Sequence, residues 1–272
     1  MNVDRLKQVL AVPTQSMRED QMVAFLKAQA ASRPGVTCTV DSYNNVFLKK
    51  GIAQFFPCVA AHIDSVQPVE RYFRIVQKDG VLIGYDRRVK QVGFGGDDKA
   101  GVYICLELLD RFPNIAAAFF AAEEIGCQGA LNADAKMFDD IGYVLEFDCP
   151  GRDMFSYTSS GMRLFDNTGD FIRAGLPVLN KWGVNKWQHH PFTDVMALRQ
   201  RFSFSCMNLP SGYYNWHSHN ECVKVSDTDN SLEMATELIA ALGALRYDYV
   251  HDKKLDESKP LVAVTGLTFP TP

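Results

Sequence analysis

Five places along the sequence carry residues able to bind a divalent cation or move a proton. Each stands where an apolar run ends or a helix begins. They are His62-Ile63-Asp64, Gly95-Gly96-Asp97-Asp98-Lys99, Glu123-Glu124, Asp148 and His217. Together they offer two imidazoles and six carboxylates. That many acids cannot share a site withdrawn from water unless cations neutralise them. A donor set of nitrogen and oxygen points to zinc first, then to manganese or cobalt. Singly, each place has a simpler reading. A His-x-Asp after a strand is common, Asp97-Asp98 can cap a helix, and Glu123-Glu124 can open a solvated one. Glu123-Glu124 is the hardest to dismiss. Eight apolar residues precede it, and no Lys or Arg stands near it in sequence. The joint pattern favours the metal reading.

The elements that must place these residues follow from hydrophobic periodicity. Residues 55–62, 115–122 and 141–147 are short apolar runs, as in strands buried on both faces. Residues 36–40 and 46–49 alternate like strands about the turn residues Asn44 and Asn45. Residues 73–76 and 81–83 flank Lys78-Asp79-Gly80, a hairpin turn. Helical spacing predicts helices over 18–31, stopped by Pro34-Gly35, over 98–111 with Asp98 as its cap, and over 228–250. Residues 126–135 read as helical, 151–190 as a hairpin and one helix, and 202–207 as a late strand. Strands alternating with helices predict an α/β fold, three layers α/β/α around a mixed, mostly parallel central sheet. Ligands in such sheets bind beyond the carboxyl ends of strands, which is where the five places stand.

Composition sets the outer bounds. Lys and Arg number 28 against 32 Asp and Glu, a net charge of −4, which leaves no electrostatic footprint for nucleic acid. With 47% apolar and 22% charged residues, the chain is an ordinary globular one, not a disordered, collagen-like or disulfide-scaffold one. No run approaches the roughly 18 apolar residues that cross a bilayer, so no membrane partner is expected. Asp4, Arg5 and Lys7 interrupt the apolar core of a signal peptide, so a cytoplasmic protein is expected. The seven cysteines are odd in number and form no Cys-x-x-Cys pair. They read as reduced core thiols.

Four blocks of the sequence resemble a known family. They are Ala61-His62-Ile63-Asp64-Ser65, Gly96-Asp97-Asp98-Lys99-Ala100-Gly101, Glu123-Glu124-Ile125-Gly126-Cys127-Gln128-Gly129-Ala130 and His217-Ser218-His219-Asn220-Glu221. Their types and order are similar to those of the co-catalytic di-zinc exopeptidases, which include bacterial leucyl aminopeptidases, peptidase T and the tetrahedral aminopeptidases. The resemblance spans about residues 6–245, and the second and third blocks are its most specific parts. It implies two divalent metal ions, zinc in first place with manganese or cobalt as substitutes. One would be held by His62 and Asp148, the other by Glu124 and His217, with Asp97 bridging both. It further implies that Asp64 orients His62 through the outer ring nitrogen, with Asp98 as further support. Glu123 is implied as the general base, taking a proton from the water between the metals and delivering it to the leaving amine. His217 is preferred to His219 because the family pattern His-Ser-x-x-Glu then ends on Glu221. On a strand, His219 would face the other side.

What the sequence lacks narrows the substrate. Many relatives carry a lid or dimerisation domain of about 80–100 residues. Here 33 positions lead from Asp64 to Asp97 and 69 from Asp148 to His217, too few for such an insert. The expectation is one catalytic domain over residues 1–272, a monomer or simple homo-oligomer. Without a lid to read a substrate carboxylate, the leading reading is an aminopeptidase acting on peptides with a free amino terminus. A carboxypeptidase, dipeptidase or N-acyl amino acid hydrolase is the alternative. It requires an arginine near the site, with Arg163, Arg173, Arg199 and Arg201 as candidates. Glutaminyl cyclases share the fold but bind one zinc, and the intact His62 and Asp64 argue against them. A non-catalytic binding protein on this scaffold is the reading from another class, and it would be expected to have lost ligands. Residues 151–215, where the side-chain pocket is expected, depart most from the family's patterns. Within them, 189–194 reads either as a surface loop with a helix start or, through Thr193-Asp194, as a substrate-side feature; His190 has no assigned role. Tyr213 and Tyr214, before His217, either polarise a carbonyl or pack. His251 reads as a surface residue.

Overall fold

Helices α1 (Val3–Leu10) and α2 (Asp20–Ala31) precede a hairpin of strands β1 (Val36–Val40) and β2 (Val46–Lys50). Strand β3 (Phe56–His62) follows, then β4 (Arg74–Lys78), β5 (Val81–Tyr85) and β6 (Gln91–Val92). Helix α3 (Gly96–Arg111) leads to β7 (Ile115–Phe120), the short α4 (Gln128–Asn132) and β8 (Ile141–Cys149). Strands β9 (Met154–Ser159) and β10 (Met162–Arg163) form a hairpin before α5 (Asp170–Lys181) and β11 (Lys186–His190). Helix α6 (Asp194–Arg201), strands β12 (Cys206–Pro210), β13 (Tyr213–Tyr214) and β14 (Cys222–Lys224), and helix α7 (Val225–Leu242) follow. This computed structural model describes residues 1–190 and 192–250. His251 lies outside the described residues.

The main sheet runs β1-β2-β7-β3-β8-β12-β9-β10, with β11 paired to β9. Its four central strands, β7, β3, β8 and β12, are mutually parallel. The hairpins β1-β2 and β9-β10 attach to them in antiparallel sense. Every residue of β3, β7 and β8 is buried, as cover on both faces requires. Tyr143 packs on Phe171 of α5, with ring centroids 5.8 Å apart, whereas Glu146 receives the backbone N–H of Val195 in α6. Positions 143 and 146 differ in parity, so they point to opposite faces of the sheet. Helices α3, α5 and α7 pack together, and α4 packs with α6. The result is the three-layer α/β/α arrangement around a mixed sheet that the sequence predicts. A second, antiparallel sheet runs β13-β14-β5-β4, with β6 on β5.

Several boundaries differ from expectation. Helix α1 was not anticipated. The charged residues that break an apolar leader make it amphipathic, with Leu6, Val9 and Leu10 buried. Helix α2 opens at Asp20 rather than 18, and α4 is shorter than 126–135. Helix α3 opens at Gly96 but kinks at Asp97 and Asp98, whose backbones are not helical; Asp98 Oδ1 accepts the Gly101 N–H and so caps the regular helix that follows, as the sequence predicts. Strand β12 starts four residues later than predicted, because Phe202 closes α6. Helix α7 stops at Leu242, where Gly243 turns at φ +66° and returns its N–H to Ile239. Its first turn begins at Val225, ahead of Thr228. Five of the seven unpaired cysteines are buried, whereas Cys38 is exposed and Cys222 half-buried. Among the described residues, no helix is long and apolar enough to cross a membrane.

Candidate metal centre

Strand register brings the predicted ligands to one edge. In β3, His62 pairs with Phe120, the last residue of β7. Ala60 pairs with Glu146, which sets His62 level with Asp148 at the end of β8. The buried His62 ring has Nε2 3.1 Å from Asp97 Oδ1 and 3.6 Å from Asp148 Oδ1. The other oxygen of Asp97 lies 3.2 Å from His217 Nε2. His217 Nε2 also lies 2.8 Å from Glu124 Oε2. Asp97 thus stands at the centre with one oxygen toward each imidazole. Ligand atoms of His62, Asp97 and Glu124 lie within 4.8 Å of one another, close enough to share an ion.

The electrostatics suit a cation. Hydrogen bonds to Asp97 and Glu124 push His217 up to about 10. Burial alone would lower His62, but the nearby carboxylates of Asp148, Asp64 and Asp97 outweigh burial and raise it. Asp148 and Asp98 are held well above the usual carboxylate range, mainly by burial. Asp97, between the two imidazoles, is held below the usual carboxylate range instead, because positive charge beside it favours its ionised form, as a bound cation would. Two imidazoles and three carboxylates form a fitting donor set for a pair of divalent cations.

Three acids aim the loops that carry these ligands. Asp64 Oδ1 lies 3.3 Å from His62 Nδ1, off the line of a hydrogen bond. The firm bonds of Asp64 are elsewhere. It accepts from the backbone N–H of Glu123 at 2.9 Å and of Glu124 at 3.2 Å, and from Ser16 Oγ at 2.7 Å. It therefore positions the paired glutamates, a role its spacing alone did not signal. Glu19, at the start of α2, supports the same turn by accepting from the Ala122 N–H at 3.2 Å. Glu221 accepts the N–H groups of Phe94, Gly95 and Asp97, which fixes the entry into α3. Glu221→Ala would orphan three backbone donors. Since each costs about 1–3 kcal/mol when buried and unpaired, a loss of at least about 3 kcal/mol is expected in denaturant unfolding. A midpoint unchanged within error would refute that support.

Two glycines of the specific blocks have packing reasons. A Cβ on Gly101 would lie 2.4 Å from Phe147 O and 2.5 Å from the Asp98 carboxylate. One on Gly129 would lie 2.1 Å from Ala121 O. Asp98 itself is buried, accepting from the Gly101 N–H at 3.0 Å, so it braces α3 beneath the site.

Other expectations are corrected or refined. His217 sits in a turn with φ +57°, not on a strand, so alternation does not separate it from His219. His219 is exposed. Thr193 and Asp194 are buried, which overturns the surface-loop reading for them. Thr193 Oγ1 donates to Glu146, and Asn208 Nδ2 donates to Thr193 Oγ1 at 3.2 Å. This buried cluster was missed, although Glu146 inside an apolar run was its signal. The Tyr213 hydroxyl donates to Asp148 O at 3.1 Å and Oδ1 at 3.3 Å. The Tyr214 hydroxyl donates to Asp227.

No family model matches the chain, and no curated protein matches it in sequence. Solved structures do share its fold. Aminopeptidase PepT from Bacillus cereus ATCC 10987 aligns at a TM-score of 0.73 and 13% identity, covering 88% of this chain and 97% of that one. A tripeptidase from Staphylococcus aureus subsp. aureus Mu50 aligns at 0.73 and 12%, covering 89% and 98%. Aminopeptidase APDkam598 from the archaeon Desulfurococcus kamchatkensis aligns at 0.66 and 14%, covering 97% and 98%. The fold is thus the α/β fold of the peptidases whose blocks the sequence resembles.

Proposed function

We propose that the chain is a di-metal exopeptidase that removes residues from the amino terminus of peptides. The observation that carries this is the line of contacts from Asp148 through His62, Asp97 and His217 to Glu124. His62 and Asp148 would hold one cation, Glu124 and His217 the other, and Asp97 both. The cations, zinc in first place, would supply a water of lowered pKa and a Lewis acid for the scissile carbonyl. Glu123 lines the same cavity as the ligands. It takes the proton of the attacking water and delivers it to the leaving amine. Burial pushes its carboxyl up to about 7, where one group can serve as base and then as acid. The Cys127 thiol donates to Glu123 Oε1 at 3.4 Å and Asp64 holds its backbone, so the carboxylate is oriented from two sides. Residues 1–272 are read as one catalytic domain, a cytoplasmic monomer or simple homo-oligomer.

The preference for an amino terminus rests on charge. A cavity of about 430 Å³ opens over the cluster, lined by Asp97, Glu123, Glu124 and Asp148 and, among the described residues, by no Lys or Arg. Bound cations would take up the charge of Asp97, Glu124 and Asp148, so the preference rests on the missing Lys or Arg, without which a substrate carboxylate has no side-chain partner. The carboxypeptidase reading lacks its arginine there. Arg199 donates to the carbonyls of Phe202, Phe204 and Tyr249, and Arg201 to those of Ala130 and Ala133. Arg163 donates to Asn167 and Arg173 to Asp170. The test is hydrolysis of aminoacyl chromogenic amides beside their N-acylated forms. Cleavage of the free-amine set supports the proposal; cleavage of only the N-acylated set overturns it.

A pH dependence follows from the same base. Glu123 works deprotonated, so the rate falls as pH drops through its pKa. Bound cations beside it pull that pKa down from about 7 toward the ordinary 4.5. The acid limb of kcat/KM at saturating metal is therefore expected between these values. A rate that stays flat to below pH 4 would contradict Glu123 as base.

A further inference from the structure

We infer that the basic end of the small sheet, around strands β4, β5 and β6, binds acidic side chains of the substrate a few residues beyond its amino terminus. The inference rests on the exopeptidase reading above and names its substrate class, peptides with an acidic downstream stretch. Residues 70–90 carry six Lys or Arg against three Asp or Glu, in a chain whose net charge is −4. Five of these cations, Arg71, Arg74, Arg87, Arg88 and Lys90, gather at one end of the sheet. Arg74 pairs in register with Tyr85, which leads into the turn that bears Arg87, Arg88 and Lys90. The Arg87 guanidinium lies 4.8 Å from the centre of the Tyr72 ring, next in sequence to Arg71. All five are exposed. Among the described residues, none of the five is ion-paired with a carboxylate.

The acids of the same segment are committed elsewhere. Asp86 accepts the backbone N–H groups of Arg88 at 2.8 Å and Lys90 at 2.9 Å, which orders the turn. Glu70 pairs with Arg18. Asp79 stands between β4 and β5, at the other end of the hairpin. Like charges held together repel one another, and an anionic partner relieves that repulsion.

The cluster adjoins the metal centre while standing outside the lining of its cavity. Arg71 lies seven positions after Asp64, and Lys90 seven before Asp97. Arg71 Nη1 donates to Gln67 Oε1. A Cβ on Gly93 would lie 2.5 Å from Gln67 Nε2 and 2.7 Å from Ser218 O. The Gln67 amide and the turn that carries His217 therefore close on the same glycine. From the ligand His217 the path to the first cation runs through Ser218, Gly93 and Gln67. An extended peptide gains about 3.3 Å per residue, so its fourth to sixth residues lie roughly 10–20 Å from its first. That is the reach of a surface a few side chains from the metals, and it places the recognised residues downstream of the cleaved bond.

Side-chain carboxylates fit this surface better than a nucleic acid does. Arginine meets a carboxylate with two parallel hydrogen bonds, and the stack on Tyr72 holds Arg87 in place for them. A single-stranded nucleic acid needs open aromatic faces for its bases, whereas Arg87 covers Tyr72. The negative net charge of the whole chain also opposes a long polyanion. Carboxylates downstream of the amino terminus would instead orient the peptide as it binds.

The experiment uses the metal-loaded enzyme and three hexapeptide amides, Leu-Ala-Ala followed by three Glu, three Gln or three Lys, and reads the initial release of leucine. At about 0.01 M ionic strength the wild type is expected to favour the Glu peptide over the Gln peptide by at least about tenfold in kcat/KM, chiefly through KM. Most of that preference should vanish at about 1 M salt, where exposed charges are screened. The Lys peptide should be the slowest. Arg87→Glu combined with Arg88→Glu should lose the preference while cleaving the Gln peptide as the wild type does. Equal kcat/KM for the Glu and Gln peptides in the wild type, or a preference that survives the double substitution, overturns the inference. If no peptide of the set is cleaved, the exopeptidase reading is what fails. Fluorescence anisotropy of the labelled Glu peptide then decides the surface by itself: binding that the double variant loses supports it, and no binding overturns it. Tighter binding of a labelled oligouridylate than of the Glu peptide would also overturn it, in favour of a nucleic-acid surface.

Discussion

Glu123→Gln is expected to retain its metals and to lose about 10²–10⁴ of turnover, the usual contribution of a positioned general base. The neutral amide keeps the shape of the side chain and still offers an oxygen to the Cys127 thiol, 3.4 Å away in the wild type. The backbone N–H of residue 123 keeps its bond to Asp64, so the turn that presents Glu124 should hold. The loss should fall on kcat, with KM nearly unchanged, because the missing function acts in the transition state and not in ground-state binding. Glu124→Gln should differ in kind. It weakens a ligand, so metal content falls together with rate. Full activity in Glu123→Gln, or loss of metal from it, would remove Glu123 from the role of base.

Stripping the metals is expected to abolish hydrolysis and to lower the melting temperature. A cation present at about 100 times its Kd stabilises the folded state by about 2.7 kcal/mol, so two independent sites contribute about 5 kcal/mol. At about 2–4 °C per kcal/mol for domains approaching this size, the shift is about 10–20 °C. Re-binding should acidify an unbuffered solution. His62 and His217 are held above their ordinary value by the carboxylates around them, and a metal displaces those protons. A chelated protein that melts at the same temperature, or a metal titration that releases no protons, would mean that the cluster is a structural ion-pair network.

The parts of this site that could be read from sequence are those whose chemistry conflicts with their surroundings. His62 and Glu123-Glu124 follow strands with no other polar residue, so their positions at strand ends were visible. Glu146 carried the same signal in the middle of such a run. Its meaning depends on Thr193, 47 positions away, and no local pattern shows that contact. Asp64 was visible as a residue of interest but not for its main work, because its partners are backbone N–H groups 59 and 60 positions on. Helix α1 is obscured because the charges of Asp4, Arg5 and Lys7 that exclude a leader peptide are also those of the polar face of a short amphipathic helix. The end of α7 was legible in Gly243 and was overrun. Strand β11 was not legible, since Lys186–His190 is mostly polar and pairs with β9 only at the flank of the sheet.

The central claim is that one chain holds two catalytic cations around Asp97. The most direct measurement is the metal content per chain, by elemental analysis, after loading with zinc or manganese and removal of excess. Two ions are expected per wild-type chain, and at most one in Asp97→Ala, which removes the oxygen offered to each imidazole. Fewer than one ion per chain after loading, or two that survive in Asp97→Ala, would contradict the account.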